Sequence, residues 1–489
     1  MDAPSLRHPD RLLIGGAWVE PHSGRQLEII SPDTEQVVAR VAEADETDMD
    51  RAVAAARKAF DEGPWPWLSP SERVAALARL VSALRRREPE LAAAWSRQMG
   101  GLVKLAPRLT ARGTQNLQDA IDLGGKFPFV SKVESPAAPA AYIVHEPVGV
   151  VAAIAPWNAP YMIMAAKLGP ALLAGCTVIM KPAPETPIEA YIVAECAEEA
   201  GLPPGVINLA PGQRAAADHL VCNSGVDKVS FTGSTLAGKR IGSVCGSRVA
   251  RCTLELGGKS AAIILDDFSA EETAQVLAGA ITLVSGQVCA MLTRAIVPRR
   301  RHNEIADAIA KAMRQVRVGH SDDGDAQMGP LAMRRQLERV ESYIEKGRKE
   351  GAPLVTGGHR PAHPSPGYFF EPTLFADVRN DMTIAREEIF GPVLSLIPCD
   401  DVEDAIRIAN DSSYGLNGSV LTRDAQAAWR IARRVRTGNV GQNGMRNDFS
   451  LPFGGYKQSG IGREGGAQGL MHYLETKTIM LDAPPADAV

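Results

Sequence analysis

The sequence predicts an α/β protein with two parallel-sheet units. Three observations carry that reading. From about residue 148, short apolar runs alternate with helix-length segments, the signature of β-α-β units. The alternation begins again beyond Gly258 with its own strands. Glycine (45) and proline (34) make up about one residue in six of the 489, enough for the many turns such units need without suggesting collagen or low complexity. At ~150 residues per domain the length allows about three domains, each able to bury a core without disulfides or metals.

Taken in order, Met1 to Asp10 is polar and contains proline, so no secretory leader is expected. Thr47 is read as the cap of a helix running through Phe60. Ser69-Pro70-Ser71-Glu72 is a capping box with proline at the first helical position. Val74, Leu77, Val81 and Leu84 follow at helical spacing and predict one buried stripe. Val148 to Ala155 reads as a buried strand ended by Pro156-Trp157-Asn158. A helix through Leu173 follows, then strand 176–180, helix 187–200, strand 206–209, and strand 226–231 leading into Thr232-Gly233-Ser234 and another helix. The second unit contributes strands at 261–265, 294–297, 393–397 and 419–421. No internal repeat or charge block interrupts the pattern.

Composition excludes several function classes. Lysine plus arginine is 53 against 57 for aspartate plus glutamate, a net charge of −4, so no broad basic field exists to hold nucleic acid or an anionic membrane. No apolar run reaches the ~20 residues of a membrane helix. The seven cysteines form no C-x-x-C pair, and His359 and His363 sit among prolines, so no metal site is expected. These features predict a reduced, soluble, cytoplasmic protein.

Gly460-Ile461-Gly462-Arg463-Glu464-Gly465 matches the dinucleotide glycine pattern letter for letter. Only 24 residues follow Gly465, too few for the β-α-β unit the motif needs, so a flexible turn is expected. Phe231-Thr232-Gly233-Ser234 is a better phosphate site, because a strand meets a glycine turn and opens a helix whose free amides attract anions. Plain N-capping by Ser234 explains the same residues equally well.

Three further segments carry residue types that packing explains poorly. Ser285-Gly286-Gln287-Val288-Cys289 places a cysteine between a helix and a strand, where it is either a nucleophile or an inert buried thiol. Leu254-Glu255-Leu256-Gly257-Gly258 sets a carboxylate between leucines at a strand end. Such a group has either a raised pKa and a function or a solvated edge. Pro156-Trp157-Asn158 leaves an amide at the carboxyl end of a strand, where open α/β sheets bind ligands; the alternative is a helix cap.

Together these segments resemble the aldehyde dehydrogenase superfamily over nearly the whole chain. Further matching stretches are Lys167-Leu168-Gly169-Pro170, Lys181-Pro182, Gly286-Gln287-Val288-Cys289, Glu388-Ile389-Phe390-Gly391-Pro392 and Pro452-Phe453-Gly454-Gly455. The resemblance implies Cys289 as the nucleophile that forms a thiohemiacetal and then a thioester. It implies Asn158 and the Cys289 N–H as the oxyanion hole, and Glu255 as the base that activates water. For the cofactor, NAD or NADP, it implies Trp157, Lys181, Gly233, Ser234, Glu388 and Phe390, with Glu388 at the nicotinamide ribose and Lys181 at the adenosine ribose. Ala159, Met162, Ala166, Met291, Asp448 and Phe449 are the expected substrate-pocket positions.

The resemblance also implies an architecture. Residues 1–125 and 147–258 would bind NAD(P), and 259–474 would form the catalytic domain. A small β element from 126–146 and 475–489 would bridge subunits of a homodimer or homotetramer. Many NAD-preferring relatives carry glutamate three residues after the lysine; here position 184 is proline, with Glu185 next, so both cofactors are expected. A CoA-acylating semialdehyde dehydrogenase is the rival enzyme, and a catalytically silent relative the rival outside catalysis. Glu255 argues for water over CoA, and the presence of both Cys289 and Glu255 argues against a silent chain.

Overall fold

The computed structural model of the protein describes residues 5–485, so Met1–Pro4 of the polar start and 486–489 of the expected bridging element lie outside the described residues. The chain opens with two hairpins that the sequence reading did not anticipate. β1 (Leu12–Ile14) turns through Gly15-Gly16 into β2 (Ala17–Val19), and β3 (Gln26–Ile30) pairs with β4 (Val37–Ala42). Helix α1 (Glu46–Asp61) is capped by Asp45, not Thr47. Asp45 and Asp48 satisfy each other's backbone amides, a capping box that places Thr47 inside the first turn. Helix α2 (Pro70–Arg86) has the predicted Ser69–Glu72 box, with Leu77, Val81 and Leu84 buried and Val74 partly so. Helices α3 (Glu88–Met99) and α4 (Ala106–Gly124) follow.

After β5 (Val130–Val133) and β6 (Ala140–Pro147) the predicted alternation begins: β7 (Val150–Ile154), α5 (Pro160–Ala174), β8 (Thr177–Lys181), α6 (Ile188–Glu199), β9 (Ile207–Leu209), α7 (Arg214–Cys222), β10 (Lys228–Thr232), α8 (Thr235–Arg248) and β11 (Arg251–Glu255). Strands β11-β10-β7-β8-β9 run parallel, and β1-β2 extend the sheet antiparallel. Along β7, Val151 and Ala153 face one apolar cluster while Val150, Ala152 and Ile154 face another. Burial on both faces is why the strand reads as an unbroken apolar run.

The chain enters a second sheet with β12 (Ser260–Ile264), followed by α9 (Ala270–Thr282), β13 (Leu292–Pro298), α10 (His302–Arg314) and α11 (Arg334–Lys349). Then come β14 (Leu354–Thr356), β15 (Thr373–Phe375), α12 (Thr383–Arg386), β16 (Val393–Cys399), α13 (Val402–Asn410), β17 (Asn417–Leu421), α14 (Ala425–Ala432) and β18 (Asn439–Gln442). Their order is β14-β15-β16-β13-β12-β17-β18, parallel except for β14. Here too β12 splits its side chains, Ala261 and Ile263 against Ala262 and Ile264.

The glycine-rich segment near the C-terminus is a turn. β19 (Gly460–Ile461) pairs antiparallel with the edge strand β11 of the first sheet, and only the short α15 (Gly466–Met471) follows before β20 (Leu474–Leu481). The expected C-terminal strand exists, but it pairs within the chain, antiparallel to β6 over its whole length, in a three-stranded sheet with β5. Among the described residues no helix is long and apolar enough to cross a membrane.

Candidate active site

In the first sheet the chain runs from β7 to β9 on one side, then returns across β7 to build β10 and β11. The reversal leaves a crevice at the carboxyl ends of β7 and β10, the place where open α/β sheets bind ligands. Trp157 and Asn158 follow β7, Gly233 and Ser234 follow β10, and Glu255 ends β11. The second sheet meets this crevice with the amino ends of its strands. Cys289 precedes β13, and Glu388 and Phe390 precede β16.

The loop that carries Cys289 is strained. Val284 and Ser285 both hold left-handed backbone (φ 51° and 55°), and Gly286 follows at φ 74°. A β-branched residue at positive φ is a true outlier that the surroundings must enforce. They do so through Ser285 Oγ, which donates to the Gly329 carbonyl at 2.8 Å, and through Gln287, which links Val284 O to the Ala332 N–H. A Cβ on Gly286 would lie 2.3 Å from the Gly391 backbone. Asn158 is no helix cap. Its Nδ2 donates to Gln287 O at 2.8 Å, and Trp95 Nε1 holds its carbonyl at 3.0 Å. The amide is thus fixed beside the cysteine loop, with a second N–H left to give.

Electrostatics around Cys289 favour the neutral thiol. Burial, then the carboxylates of Glu388 and Glu255, push its pKa up to about 12. Glu255 is itself buried, with neither oxygen hydrogen-bonded among the described residues. Burial and the neighbouring Glu464 raise its pKa well above the usual carboxylate range, while Lys167 and Arg463 oppose the shift. Lys167 is fully buried, pairs with Glu464 and donates to Thr232 Oγ1 at 2.8 Å. Buried charges survive when paired in this way.

Two cavities meet at this point. One, of about 240 Å³, is lined by Trp157, Gly233, Ser234, Leu256, Glu388 and Phe390; the other, of about 280 Å³, by Ala159, Met162, Leu283, Val288, Phe449 and Phe453. Asn158, Glu255 and Cys289 line both. On the first side Phe390 sits edge-on to Trp157, ring centroids 5.2 Å apart, with its own backbone left-handed (φ 62°). Glu388 accepts from the Gly258 N–H at 3.1 Å, and burial lifts its pKa to about 7. A Cβ on Gly257 would lie 2.2 Å from Glu388 Oε2. Ser234 caps α8 by accepting from the Ala237 N–H at 3.3 Å.

Not every expected residue reaches the cavities. Lys181 ends β8, buried, outside both, its pKa lowered to about 8 by burial against the support of Glu185. Met291 does not line the second cavity. It is core, packed with Ile264, Leu277 and Leu292, because it points into the helix layer at the start of β13. Asp448 is exposed and bound to Arg112 at 2.9 Å and to Ser450, so its charge is compensated outside the cavity wall. Ala166 lies one turn beyond Met162 and lines a separate cavity.

A family model described as "Aldehyde dehydrogenase family" matches residues 18–479. The chain belongs to the aldehyde dehydrogenase family. Among curated relatives, the geranial dehydrogenase of Castellaniella defragrans is 43% identical over 96% of this chain and 98% of its own length. The 3-succinoylsemialdehyde-pyridine dehydrogenase of a Pseudomonas species is 41% identical over 97% and 99%. Among solved structures, a Mycobacterium tuberculosis aldehyde dehydrogenase complexed with NAD+ superposes with a TM-score of 0.94 at 42% identity, covering 98% of this chain and 99% of that one. Betaine aldehyde dehydrogenase of Staphylococcus aureus in complex with NAD+ gives 0.95 at 34% identity, over 98% and 96%.

Sequence reasoning missed several groups at this aldehyde dehydrogenase site. Gln336 and Arg339 of α11 line the first cavity, and Arg339 Nε holds the Ile389 carbonyl at 3.1 Å. Arg108 and Arg112 of α4 reach the second cavity. These are charged residues on amphipathic helices, and nothing local distinguishes them from a solvated face. Lys167 and Glu464 did carry a signal: each lies inside a quoted motif, and the lysine interrupts an otherwise apolar helix.

Proposed function

We propose that the protein oxidises an aldehyde to a carboxylic acid with NAD or NADP, using Cys289 as nucleophile. The single observation that carries this is the convergence of Cys289, Asn158 and Glu255 where the two cavities join. The first cavity fits a dinucleotide. It lies at the switch point of a parallel sheet, opens on the α8 N-terminus, and keeps room beside a half-buried carboxylate through Gly257. Gly233 and Ser234 would hold phosphate, Glu388 a ribose hydroxyl, and Trp157 and Phe390 the ring edge, with Lys181 nearer the adenosine end. A dinucleotide bound there supplies the hydride acceptor that aldehyde oxidation requires.

The chain's own residues do the rest. Because Cys289 rests as a thiol, its proton must leave as sulfur attacks, and Glu255, with both oxygens free of partners and a raised proton affinity, is placed to take it. The carbonyl oxygen becomes an alkoxide that the free N–H of Asn158 and the Cys289 backbone amide stabilise. Loss of hydride from the thiohemiacetal carbon leaves a thioester on Cys289. Glu255 gives that proton up to solvent and then takes one from water, hydroxide adds to the thioester carbon, and the Cys289 thiolate leaves with the carboxylic acid as product. Lys167 and Glu464 set how strongly Glu255 holds a proton. The buried, unpartnered Glu255 supports water as acyl acceptor over CoA, and an intact Cys289–Glu255–Asn158 set supports catalysis over a silent role.

The apolar walls of the second cavity favour an apolar aldehyde, in keeping with geranial for the relative above. The two sheets support a cofactor-binding unit and a catalytic unit changing over near residue 258, and the free edge of β20 supports a homodimer or homotetramer. A thiol nucleophile needs a reducing compartment, which favours the cytoplasm. The test is NAD(P)H formation from propanal with and without CoA. Wild type is expected to turn over without CoA, Cys289→Ala to be inert, and Glu255→Gln to slow deacylation more than acylation, so that about one NAD(P)H per site is released as a slowed burst while an acyl adduct accumulates on Cys289. Substantial turnover by Cys289→Ala would overturn the assignment.

A further inference from the structure

Asn158 is held from two sides, and one of the two holds comes from outside both cavities. No side chain caps α5 among the described residues, and its first turn closes with the Ile163 N–H on the Ala159 carbonyl at 3.0 Å. The Asn158 carbonyl, one residue earlier and buried, therefore lies outside the helix's own bonds. Its donor is Trp95 Nε1 from α3, at 3.0 Å. A buried carbonyl needs such a partner, and a buried indole N–H needs an acceptor just as much.

Trp95 is itself 2% exposed and lines neither the cofactor cavity nor the aldehyde cavity. Its ring belongs to a small apolar cluster that brings three neighbours of the site together. Trp157 precedes Asn158, Val284 is a strained residue of the cysteine loop, and the Ala332 N–H anchors Gln287. Two adjacent glycines fit the chain around the ring. Gly100 ends α3 in the left-handed conformation (φ 76°), with its N–H on the Ser96 carbonyl at 2.9 Å, an ending that glycine favours. Gly101 then passes so close to the indole that a Cβ there would lie 2.0 Å from Trp95 Cη2. Only glycine fits while the ring keeps its place.

The two holds act on different atoms of one residue. The bond from Asn158 Nδ2 to Gln287 O at 2.8 Å ties the side chain to the cysteine loop. The Trp95 bond ties the backbone of the same residue to α3. With both ends fixed, the remaining amide N–H keeps one direction. An oxyanion donor is effective because it is in place before charge develops, and a displacement of about 1 Å costs up to about a hundredfold in rate.

We propose that Trp95 is a positioning residue. Through the Asn158 carbonyl it aims the free amide N–H at the oxygen of the reacting aldehyde, and Gly101 leaves the indole the room to do so. The inference rests on the reading of Asn158 as an oxyanion donor. Trp95 touches neither the aldehyde nor the cofactor.

The experiment compares Trp95→Phe, Gly101→Ala, Asn158→Ala and the Trp95→Phe/Asn158→Ala double variant. For each, kcat and KM for propanal are measured where a 1-deuterated substrate shows hydride transfer to be limiting. Equilibrium NAD binding and thermal unfolding are measured alongside. Trp95→Phe keeps an aromatic ring in the cluster and removes the N–H. It should lower kcat about tenfold, a partial misplacement of the donor, with NAD affinity unchanged. Gly101→Ala displaces the indole from the other side and should reproduce that loss. In the double variant kcat should equal that of Asn158→Ala alone, since Trp95 acts through that amide. Wild-type kcat in either folded Trp95→Phe or folded Gly101→Ala, with Asn158→Ala impaired, would overturn the role of Trp95 and leave the proposed function standing. Losses that multiply in the double variant, or NAD affinity falling as far as kcat, would overturn it as well. An unimpaired Asn158→Ala would overturn the oxyanion reading and this inference with it.

Discussion

Asn158→Ala separates a catalytic amide from a structural one, because the two roles have different magnitudes and different assays. Asn158 Nδ2 has two hydrogens, of which one is committed to Gln287 O at 2.8 Å. Truncation removes both. Losing one preorganised oxyanion donor costs about 10²–10³ in kcat, or ~2.7–4 kcal/mol of transition-state stabilisation. Losing the other strips a buried carbonyl of its partner, which costs ~1–3 kcal/mol of folding stability. That should lower Tm by several degrees without unfolding a chain of this size. Gln287 stays anchored through its own side chain to Val284 and Ala332, so the cysteine loop should keep its shape. The assay is kcat for propanal with a 1-deuterated substrate, to establish that hydride transfer limits the rate, alongside thermal unfolding. A kcat within about threefold of wild type under hydride-limited conditions would show that Asn158 only holds the loop.

Two further outcomes are expected. With the Cys289 pKa near 12, raised by burial and two carboxylates, the thiolate fraction in cofactor-free protein at pH 7 is about 10⁻⁵. Alkylation of Cys289 by iodoacetamide, followed by peptide mass spectrometry, should therefore climb about tenfold per pH unit up to at least pH 10. Glu255→Gln should speed it at the alkaline end of that range, where Glu255 has ionised, by removing one negative neighbour, and a plateau near pH 9 would mean an ordinary thiol. For cofactor choice, Glu185 is tied to Arg335 at 2.7 Å and Pro184 cannot accept a ribose hydroxyl, while Lys181 offers a cation to a 2′-phosphate. Wild type should accept NAD and NADP with kcat/KM values within about a hundredfold, or ~2.7 kcal/mol. Pro184→Glu should shift the ratio toward NAD, and an NAD preference beyond a thousandfold in wild type would refute the argument.

Much of the fold was legible because it is written in short-range patterns. The continuous apolar runs of β7, β8 and β12 mark strands buried on both faces, and the Ser69–Glu72 box closes within four residues. The hairpins at β1–β4 escaped because their strands are short and partly exposed, although Gly15-Gly16 is the two-residue turn that favours a tight hairpin. The Thr47 cap was misplaced because Asp45 and Asp48 compete for the same amides two residues earlier.

For the site, the sequence by itself determined which groups are chemically out of place: a cysteine after a glycine turn, a carboxylate between leucines, an amide at a strand end. Each is unusual within its own segment, so local reading finds it. Only the tertiary structure decided how these groups meet, because Asn158 and Gln287 are bonded across 129 residues and Lys167 and Glu464 across 297. It also decided that Met291 is core, that Asp448 is neutralised by Arg112, and that Ala166 opens onto a different cavity from Met162. Those outcomes depend on which face of one helix packs against which face of another. No single segment encodes that choice, since it is the joint minimum of burial and polar pairing over the whole chain.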